Sequence, residues 1–298
     1  MKKFFTNIIC FVLPFLLVVI GIFLISGKIL RDHFTSALPS VHYIFLGHSQ
    51  PECAIDDKLI TNGKNLSQGG ESYFYTYQKL KKILKDNPQL KMVIVSFSNN
   101  QIEKKMNDWT FDDIHLNQYY AKYNYMMSVR DISLILKNNP SYFFQANVAG
   151  LEINMKTILK RKNLTSDNNW GGYLYVNKSK LDSLKNINYI DEVNKKKDKK
   201  ISETNILYLK KIVALCKTQK KPIIFIRTPY DKDLLKVYDE QRFQKIRGEN
   251  FKDIPFWDFR DTYIPEDGFL DYDHLNNKGA KEFSVILNDK IKLSQTDK

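Results

Sequence analysis

The most constraining feature of the chain is a long run without charge near its start. No charged residue occurs from Ile8 to Ile25, and nearly every residue in the run is apolar. About 20 such residues are enough for a helix to cross the hydrocarbon core of a bilayer. The run is longer than the apolar core of a cleaved signal, and no Ala-x-Ala-like cleavage site follows it. We therefore expect residues 4–26 to cross the lipid bilayer as an uncleaved signal anchor.

The basic residues beside this run predict its orientation. Lys2 and Lys3 precede the run, and an excess of Lys and Arg marks the cytoplasmic side. Basic residues after the run weaken this bias without reversing it. Because no second span follows, we expect residues 1–30 to form a cytoplasmic tip and an anchor. Residues 31–298 should form an extracytoplasmic domain on the periplasmic or outer face of a bacterial inner membrane.

The charge and the cysteines restrict the classes of partner. The chain has 46 basic and 33 acidic residues, a net charge of +13. Such an excess suits an anionic surface or glycan, whereas the predicted location and the absence of a recognition motif argue against nucleic acid. The run Lys195–Lys200 is interpreted as a solvated loop. There is no zinc-ligand spacing, so we expect no metal.

Short apolar runs alternate with amphipathic segments along the chain. Strands are predicted at 42–47, 64–67, 91–97, 222–229 and 254–259, and helices at 72–87, 202–219 and 277–291. This alternation is typical of an α/β fold with a parallel sheet. The segment from about 102 to 200 breaks the alternation and is predicted to be a mainly helical insertion, serving as a lid or a membrane-facing cap. We expect its dense tyrosines to pack against the domain rather than to bind sugar.

Polar residues follow each of the first three predicted strands. Ser49 follows the first strand, Gly70 the second, and Asn99 and Asn100 the third. In open parallel sheets, active residues lie beyond the carboxyl ends of the strands. We therefore expect these residues to gather at one edge of the sheet.

A histidine that could activate Ser49 lies just before the last helix. A serine nucleophile needs a base that takes its proton, and that base needs an acceptor that orients it. His274 follows Asp271 in a D-x-x-H turn, which lets the carboxylate meet the imidazole. Asp273 is the alternative acid, although adjacent side chains diverge more readily.

The four blocks, in this order, resemble the SGNH (GDSL-like) hydrolase superfamily. The resemblance covers roughly residues 42–101 and 202–291. It implies a three-layer, flavodoxin-like sandwich in which Ser49 attacks an ester carbonyl and the pair of Asp271 and His274 activates it. It also implies an oxyanion hole that consists of the Ser49 amide, the Gly70 amide and the Asn100 side chain.

Two of the blocks depart from the family pattern and leave alternatives open. The first block reads G-H-S, with His48 where the family has aspartate. The third reads S-N-N-Q at 98–101 where the family has G-x-N-D. Gly69 is the near alternative to Gly70, and a shift of one residue would make Asn99 the oxyanion-hole asparagine in place of Asn100.

The resemblance also implies a class of function. An N-terminal anchor followed by an extracytoplasmic domain resembles the members of the superfamily that act as serine esterases or O-acyltransferases on a cell-envelope glycan. We expect the substrate to be an acyl ester, with acetyl as the acyl group. Water as acceptor gives hydrolysis, and a sugar hydroxyl gives transfer. No cofactor is implied, but a multi-span membrane protein that supplies the acyl group is implied as a partner. The alternative is a non-catalytic envelope scaffold or glycan-binding protein on the same fold, which the altered blocks keep open.

Overall fold

The computed structural model describes residues 1–160, 170–179 and 200–296. The run Lys195–Lys200 therefore lies outside the described residues apart from Lys200, as does part of the predicted insertion.

The centre of the fold is one parallel sheet. Its five strands are β1 (Tyr43–Leu46), β2 (Gly63–Asn65), β3 (Met92–Ser96), β4 (Ile223–Arg227) and β5 (Phe256–Asp258). They lie in the order β2-β1-β3-β4-β5, and every neighbouring pair is parallel. This is the flavodoxin-like strand order. The prediction of an α/β fold with a parallel sheet is confirmed.

Helices cover both faces of the sheet. The longer helices are α1 (Lys2–His33), α2 (Ser49–Ala54), α3 (Tyr73–Asp86), α4 (Val129–Asn138), α5 (Pro140–Lys160), α6 (Glu203–Thr218), α7 (Glu240–Phe251) and α8 (Asn277–Thr296). Shorter helical turns are Asp57–Leu59, Asn99–Ile102, Lys104–Asn107, Asp108–Phe111, Asp113–His115, Leu116–Tyr120, Ala121–Tyr123, Asn124–Met126, Lys232–Leu235 and Glu266–Gly268.

Two apolar cores show that the fold has three layers. Successive strand side chains point to opposite faces, so Ile44 joins one core and Phe45 the other. The first core also holds residues of α3, α6 and α7, and the second holds Phe283, Leu287 and Ile291 of α8. All residues of β1, β3 and β4 are buried, which explains why these strands read as continuous apolar runs.

The N-terminal helix α1 separates into an exposed part and a packed end. Its part from Thr6 onward is long and apolar enough to cross a membrane, and its most apolar window has no buried residues. These properties are compatible with a single-pass anchor or a signal sequence. At the other end Leu30 is buried, and the Lys82 ammonium donates to the carbonyl of Arg31 at 2.9 Å. The packed end joins α1 to the α/β domain.

The described part of the predicted insertion is mostly helical. It contains α4, α5 and several short turns. The four tyrosines in its most aromatic stretch, Tyr119, Tyr120, Tyr123 and Tyr125, are all buried. The expectation that they pack rather than form an exposed sugar platform is confirmed.

Candidate active site

Ser49 is the first residue of α2 and follows strand β1 after a turn of two residues. His48 is the N-cap of this helix, and its ring nitrogen Nδ1 accepts a hydrogen bond from the Gln50 amide. The turn between strand and helix is tight: a Cβ on Gly47 would lie 2.6 Å from the Cβ of Ser96 on β3. Glycine thus allows the two strands to approach closely where β1 ends. Ser49 is thereby held at the carboxyl edge of the sheet.

The structure brings the three predicted triad residues together. The Ser49 Oγ lies 2.7 Å from the His274 Nε2. On the other side of the ring, the His274 Nδ1 lies 2.9 Å and 3.0 Å from the two carboxylate oxygens of Asp271. The Asp271 Oδ1 also accepts the backbone amides of Asp273 and His274, at 3.0 and 2.8 Å. The D-x-x-H turn therefore holds the carboxylate against the imidazole within one loop.

A second carboxylate contacts the same ring nitrogen. The Asp273 Oδ1 lies 3.0 Å from the His274 Nδ1, although sequence reasoning expected adjacent side chains to diverge. The other oxygen of Asp273 accepts a hydrogen bond from the Gln50 side chain at 3.2 Å. This contact from α2 turns the Asp273 carboxylate inward, and its side chain is only 9% exposed. Both acids considered from the sequence therefore lie at the histidine.

The two carboxylates shift the pKa of His274. Burial by itself would lower the pKa of the imidazole, but the charge of Asp273 and the hydrogen bonds with Asp271 and Asp273 outweigh it. The pKa of His274 is therefore raised well above its ordinary value. Burial, the largest single effect, would raise the pKa of Asp273, but the positive charge of His274 and the hydrogen bonds with His274, Asp271 and Gln50 together lower it.

Among the described residues, Asp271, Asp273 and His274 also form a cluster that could hold a metal ion. One ligand atom from each of Asp271, Asp273 and His274 lies within 4.8 Å of the others. The remaining ring nitrogen of His274, Nε2, forms a hydrogen bond with the Ser49 Oγ, which is the arrangement of a proton relay.

The two glycines after β2 occupy different positions near Ser49. A Cβ on Gly69 would lie 3.6 Å from the Ser49 Cβ, so this residue is directly beside the serine. Gly70 has φ = +77°, a conformation that favours glycine. A Cβ there would lie 3.0 Å from the His115 Nε2. Both glycines therefore border the site, and the assignment of the amide donor to Gly70, with Gly69 as alternative, stays a prediction.

The two asparagines of the third block have different hydrogen-bond partners. The Asn99 Oδ1 accepts a hydrogen bond from Arg227 at 2.8 Å. The Asn100 Oδ1 accepts one from the Ser98 hydroxyl at 2.7 Å. Among the hydrogen bonds of the described residues, none uses the Asn100 Nδ2 as a donor. The Asn99 Nδ2 is buried and also has no hydrogen-bond partner among the described residues, so the choice of Asn100, with Asn99 as the alternative, stays a prediction.

Arg227 is a site residue that sequence reasoning missed. It ends β4 with a fully buried guanidinium, which donates to Asp258 at 2.9 Å and to Glu240 at 2.8 Å as well as to Asn99. A buried charge of this kind must be paired and hydrogen-bonded. The signal in the sequence was a single cation inside the otherwise apolar run 222–229.

Glu52 is a second missed residue, one helical turn after Ser49. Its carboxylate would contact a Cβ on Gly69 at 2.9 Å. Burial raises the pKa of Glu52 to about 7, although the Gly69 amide and the charge of Lys79 counteract this shift. A titratable carboxyl group therefore lies beside the glycine loop. Its spacing of three residues from Ser49 was the available signal.

A second D-x-x-H turn lies in the insertion. The Asp112 Oδ1 accepts the His115 backbone amide at 2.8 Å and lies 2.6 Å from the His115 Nδ1. The turn is locally the same as the one at 271–274, but its ring faces Gly70 and stacks between Trp109 and Tyr119. The D-x-x-H spacing alone therefore does not single out the histidine that meets Ser49.

Two cavities of the described structure lie away from the triad. One, of about 340 Å³, is lined by residues that follow β4 and β5. The other, of about 310 Å³, lies between the end of α1 and the tyrosines of the insertion. Neither lining includes Ser49 or His274. The His274 side chain is nevertheless 20% exposed, so a ligand can reach the carboxyl edge of the sheet.

The chain was compared with known proteins, protein families and solved structures. No curated protein matches the sequence. A family model matches residues 159–295 and names no activity. Among solved structures, the chain is similar to the 2.00 Å crystal structure of a candidate acylhydrolase from Bacteroides fragilis. The identity is 9%, the TM-score is 0.39, and the match covers 90% of this chain and 95% of the other. A similarity this low leaves the geometry of the site as the basis for inferring a function.

Proposed function

We propose that the protein is a membrane-anchored, SGNH-type serine esterase or O-acyltransferase. The observation that carries the proposal is the hydrogen-bonded triad of Ser49, His274 and Asp271. The Ser49 Oγ lies 2.7 Å from the His274 Nε2, and the His274 Nδ1 lies 2.9 Å from the Asp271 Oδ1. A nucleophile within reach of a base, itself oriented by a carboxylate, is the arrangement that acyl transfer requires.

The first half-reaction forms an acyl-enzyme. The Ser49 hydroxyl passes its proton to the His274 Nε2 while its oxygen attacks the ester carbonyl. The carbonyl π electrons move onto the oxygen, which becomes an oxyanion. Donors aimed at this oxygen are the amides of Ser49 and Gly70, with Gly69 as the alternative, and the side chain of Asn100. When the oxyanion collapses, the bond to the alcohol breaks, and His274 returns its proton to the leaving oxygen.

The second half-reaction releases the acyl group. An acceptor hydroxyl gives its proton to His274 and attacks the acyl-Ser49 carbonyl. Collapse of the second oxyanion breaks the bond to the Ser49 oxygen, which recovers the proton. Water as acceptor gives hydrolysis, and a sugar hydroxyl gives transfer with the same residues.

A cell-envelope glycan carrying acetyl or another acyl group is the proposed substrate class. The apolar helix α1, compatible with an anchor, supports a position at the membrane, and the net charge of +13 suits an anionic polymer. For transfer, a multi-span membrane protein that delivers the acyl group to Ser49 is the proposed partner.

Labelling with a fluorophosphonate probe tests the proposal directly. The intact protein should be labelled at Ser49 and should hydrolyse p-nitrophenyl acetate. Ser49→Ala and His274→Ala should each reduce kcat by about 10³-fold or more, and the double variant should lose little more, because the residues act as a unit. Ser294→Ala, at the far end of α8, is the matched control and should behave as the unaltered protein.

A folded, intact protein that is neither labelled nor active would contradict the proposal. That result would favour the non-catalytic scaffold on the same fold. Labelling that persists in Ser49→Ala would place the nucleophile elsewhere.

A further inference from the structure

We propose that His48 is a positioning residue that acts through Ser98 to orient the side-chain amide of Asn100. The inference rests on the proposed function, since it concerns an oxyanion donor of that reaction. His48 lies 3.2 Å from the Ser98 Oγ, and the Ser98 Oγ lies 2.7 Å from the Asn100 Oδ1. These contacts connect the turn before the nucleophile to the asparagine of the third block.

The direction of each hydrogen bond follows from the first one. The His48 Nδ1 accepts from the Gln50 backbone amide at 3.1 Å, so this nitrogen carries no proton. In a neutral imidazole the other nitrogen must then carry it. The His48 Nε2 therefore donates to the Ser98 oxygen.

The Ser98 hydroxyl in turn donates a hydrogen bond to Asn100. Its oxygen accepts from His48, so its own proton is free to be donated. The Asn100 Oδ1 is the nearer acceptor at 2.7 Å, with the Gln101 Oε1 at 3.2 Å. Once the Asn100 oxygen accepts this bond, its NH₂ group must point the other way. The series therefore determines which end of the Asn100 amide is available to an oxyanion.

Burial keeps the series in a single protonation state. His48 is fully buried, and the edge of its ring packs against Trp109 with centroids 5.8 Å apart. The groups that face it from the neighbouring elements are His274, Asp273 and Asn100. Burial, followed by the positive charge of His274, lowers the pKa of His48 to about 3. The ring therefore stays neutral, and the donor at Nε2 persists throughout the working pH range.

The contact between His48 and Ser98 couples two departures from the family pattern. The first block has histidine where the family has aspartate, and the third has Ser98 where the family has glycine. A carboxylate can only accept hydrogen bonds, whereas His48 here presents a donor. Ser98 supplies the hydroxyl that accepts this proton and donates its own. The altered residues of the two blocks, His48 and Ser98, therefore hydrogen-bond to each other and together orient Asn100.

A double-mutant cycle on the full-length protein tests this role. His48→Phe removes the donor but keeps a ring beside Trp109, and Ser98→Ala removes only the hydroxyl. Each should lower kcat on p-nitrophenyl acetate by about tenfold to a hundredfold with KM nearly unchanged, somewhat less than the loss of an oxyanion donor itself. When Asn100→Ala is already present, adding either change should lower kcat by less than about twofold. The amide that His48 and Ser98 orient is then already absent.

The inference would be overturned if His48→Phe and Ser98→Ala lowered kcat by the same factor with and without Asn100→Ala. That result would show that the effect does not act through Asn100. If His48→Phe fails to fold, Ser98→Ala carries the test. Ser49→Ala separates the two proposals. If its activity equals that of the unaltered protein, the proposed function fails. If Ser49→Ala is inactive while the cycle is additive, only the positioning role fails.

Discussion

At the scale of single residues, His274 is the group whose environment matters most for the proposed activity. Two carboxylates lie at its Nδ1, one from Asp271 and one from Asp273. Both stabilise the imidazolium, so both raise the pKa of the ring. As the proposed base, His274 must be neutral to take the proton from Ser49. A raised pKa therefore moves the rise in activity above the ordinary histidine range near 6.5.

The charge of Asp273 can be tested through the pH profile. Asp273→Asn removes the largest stabilising charge on the imidazolium, so the pKa of His274 should fall. The rise of kcat/KM on p-nitrophenyl acetate should then shift to lower pH. Asp289→Asn, an exposed change on α8, should leave the profile in place. Asp271→Asn should mainly lower kcat, because the amide can hold the wrong tautomer of the ring. An unshifted profile in Asp273→Asn would contradict this assignment.

At the scale of elements, helix α3 holds the loop that carries the glycines. The Lys79 ammonium has three donors, which contact the Glu71 carboxylate at 2.9 Å and the carbonyls of Leu66 and Trp170 at 2.5 and 3.1 Å. Both side chains of the ion pair are completely buried. A buried pair is tolerated only when its hydrogen-bonding groups are satisfied in this way.

Removal of Lys79 should therefore destabilise the protein. Lys79→Met leaves the buried Glu71 charge without its partner, which costs about 3–5 kcal/mol in the free energy of unfolding. Urea unfolding in detergent, followed by tryptophan fluorescence, measures this loss. Lys85→Met, at an exposed position of the same helix, is the matched control. The double variant Lys79→Met with Glu71→Leu should recover much of the loss, and a single variant as stable as the unaltered protein would refute the prediction.

At the scale of the whole molecule, α1 connects an unburied apolar segment to a packed domain without a long linker. Its exposed part begins near Thr6, whereas Ser26 and Leu30 are already buried. If α1 spans the bilayer, the α/β domain must lie directly at the membrane surface. The reach of Ser49 is then confined to substrates at, or close to, that surface.

Cysteine labelling tests the predicted orientation. Cys53 and Cys216 are buried free thiols, and the exposed Cys10 is removed by Cys10→Ser, so the background with a membrane-impermeant maleimide should be low. In spheroplasts, Lys290→Cys on the exposed side of α8 should be labelled. Lys3→Cys, before the apolar run, should be labelled only after the membrane is permeabilised. The reverse pattern would place the domain in the cytoplasm, and release of a shortened soluble protein would indicate a cleaved signal.

Much of the fold could be predicted because it is encoded locally. The apolar run 91–97 predicted β3, observed at Met92–Ser96, and the amphipathic segment 202–219 predicted α6, observed at Glu203–Thr218. Such patterns reflect side-chain periodicity, which depends only on neighbouring residues. Element ends were less certain: α8 continues to Thr296, beyond the predicted residue 291, because no residue there prevents helix from continuing.

The sequence by itself determined the apolar helix, the parallel sheet and the residues that could meet Ser49, since each depends on local pattern or spacing. Tertiary structure alone decided which of them meet. Asp273 joins the histidine because Gln50, 223 positions away, holds its carboxylate, and Asn99 binds Arg227, 128 positions away. His48 contacts Ser98 across 50 positions. The direction of these side chains is set by packing between strands and helices, which no local pattern encodes.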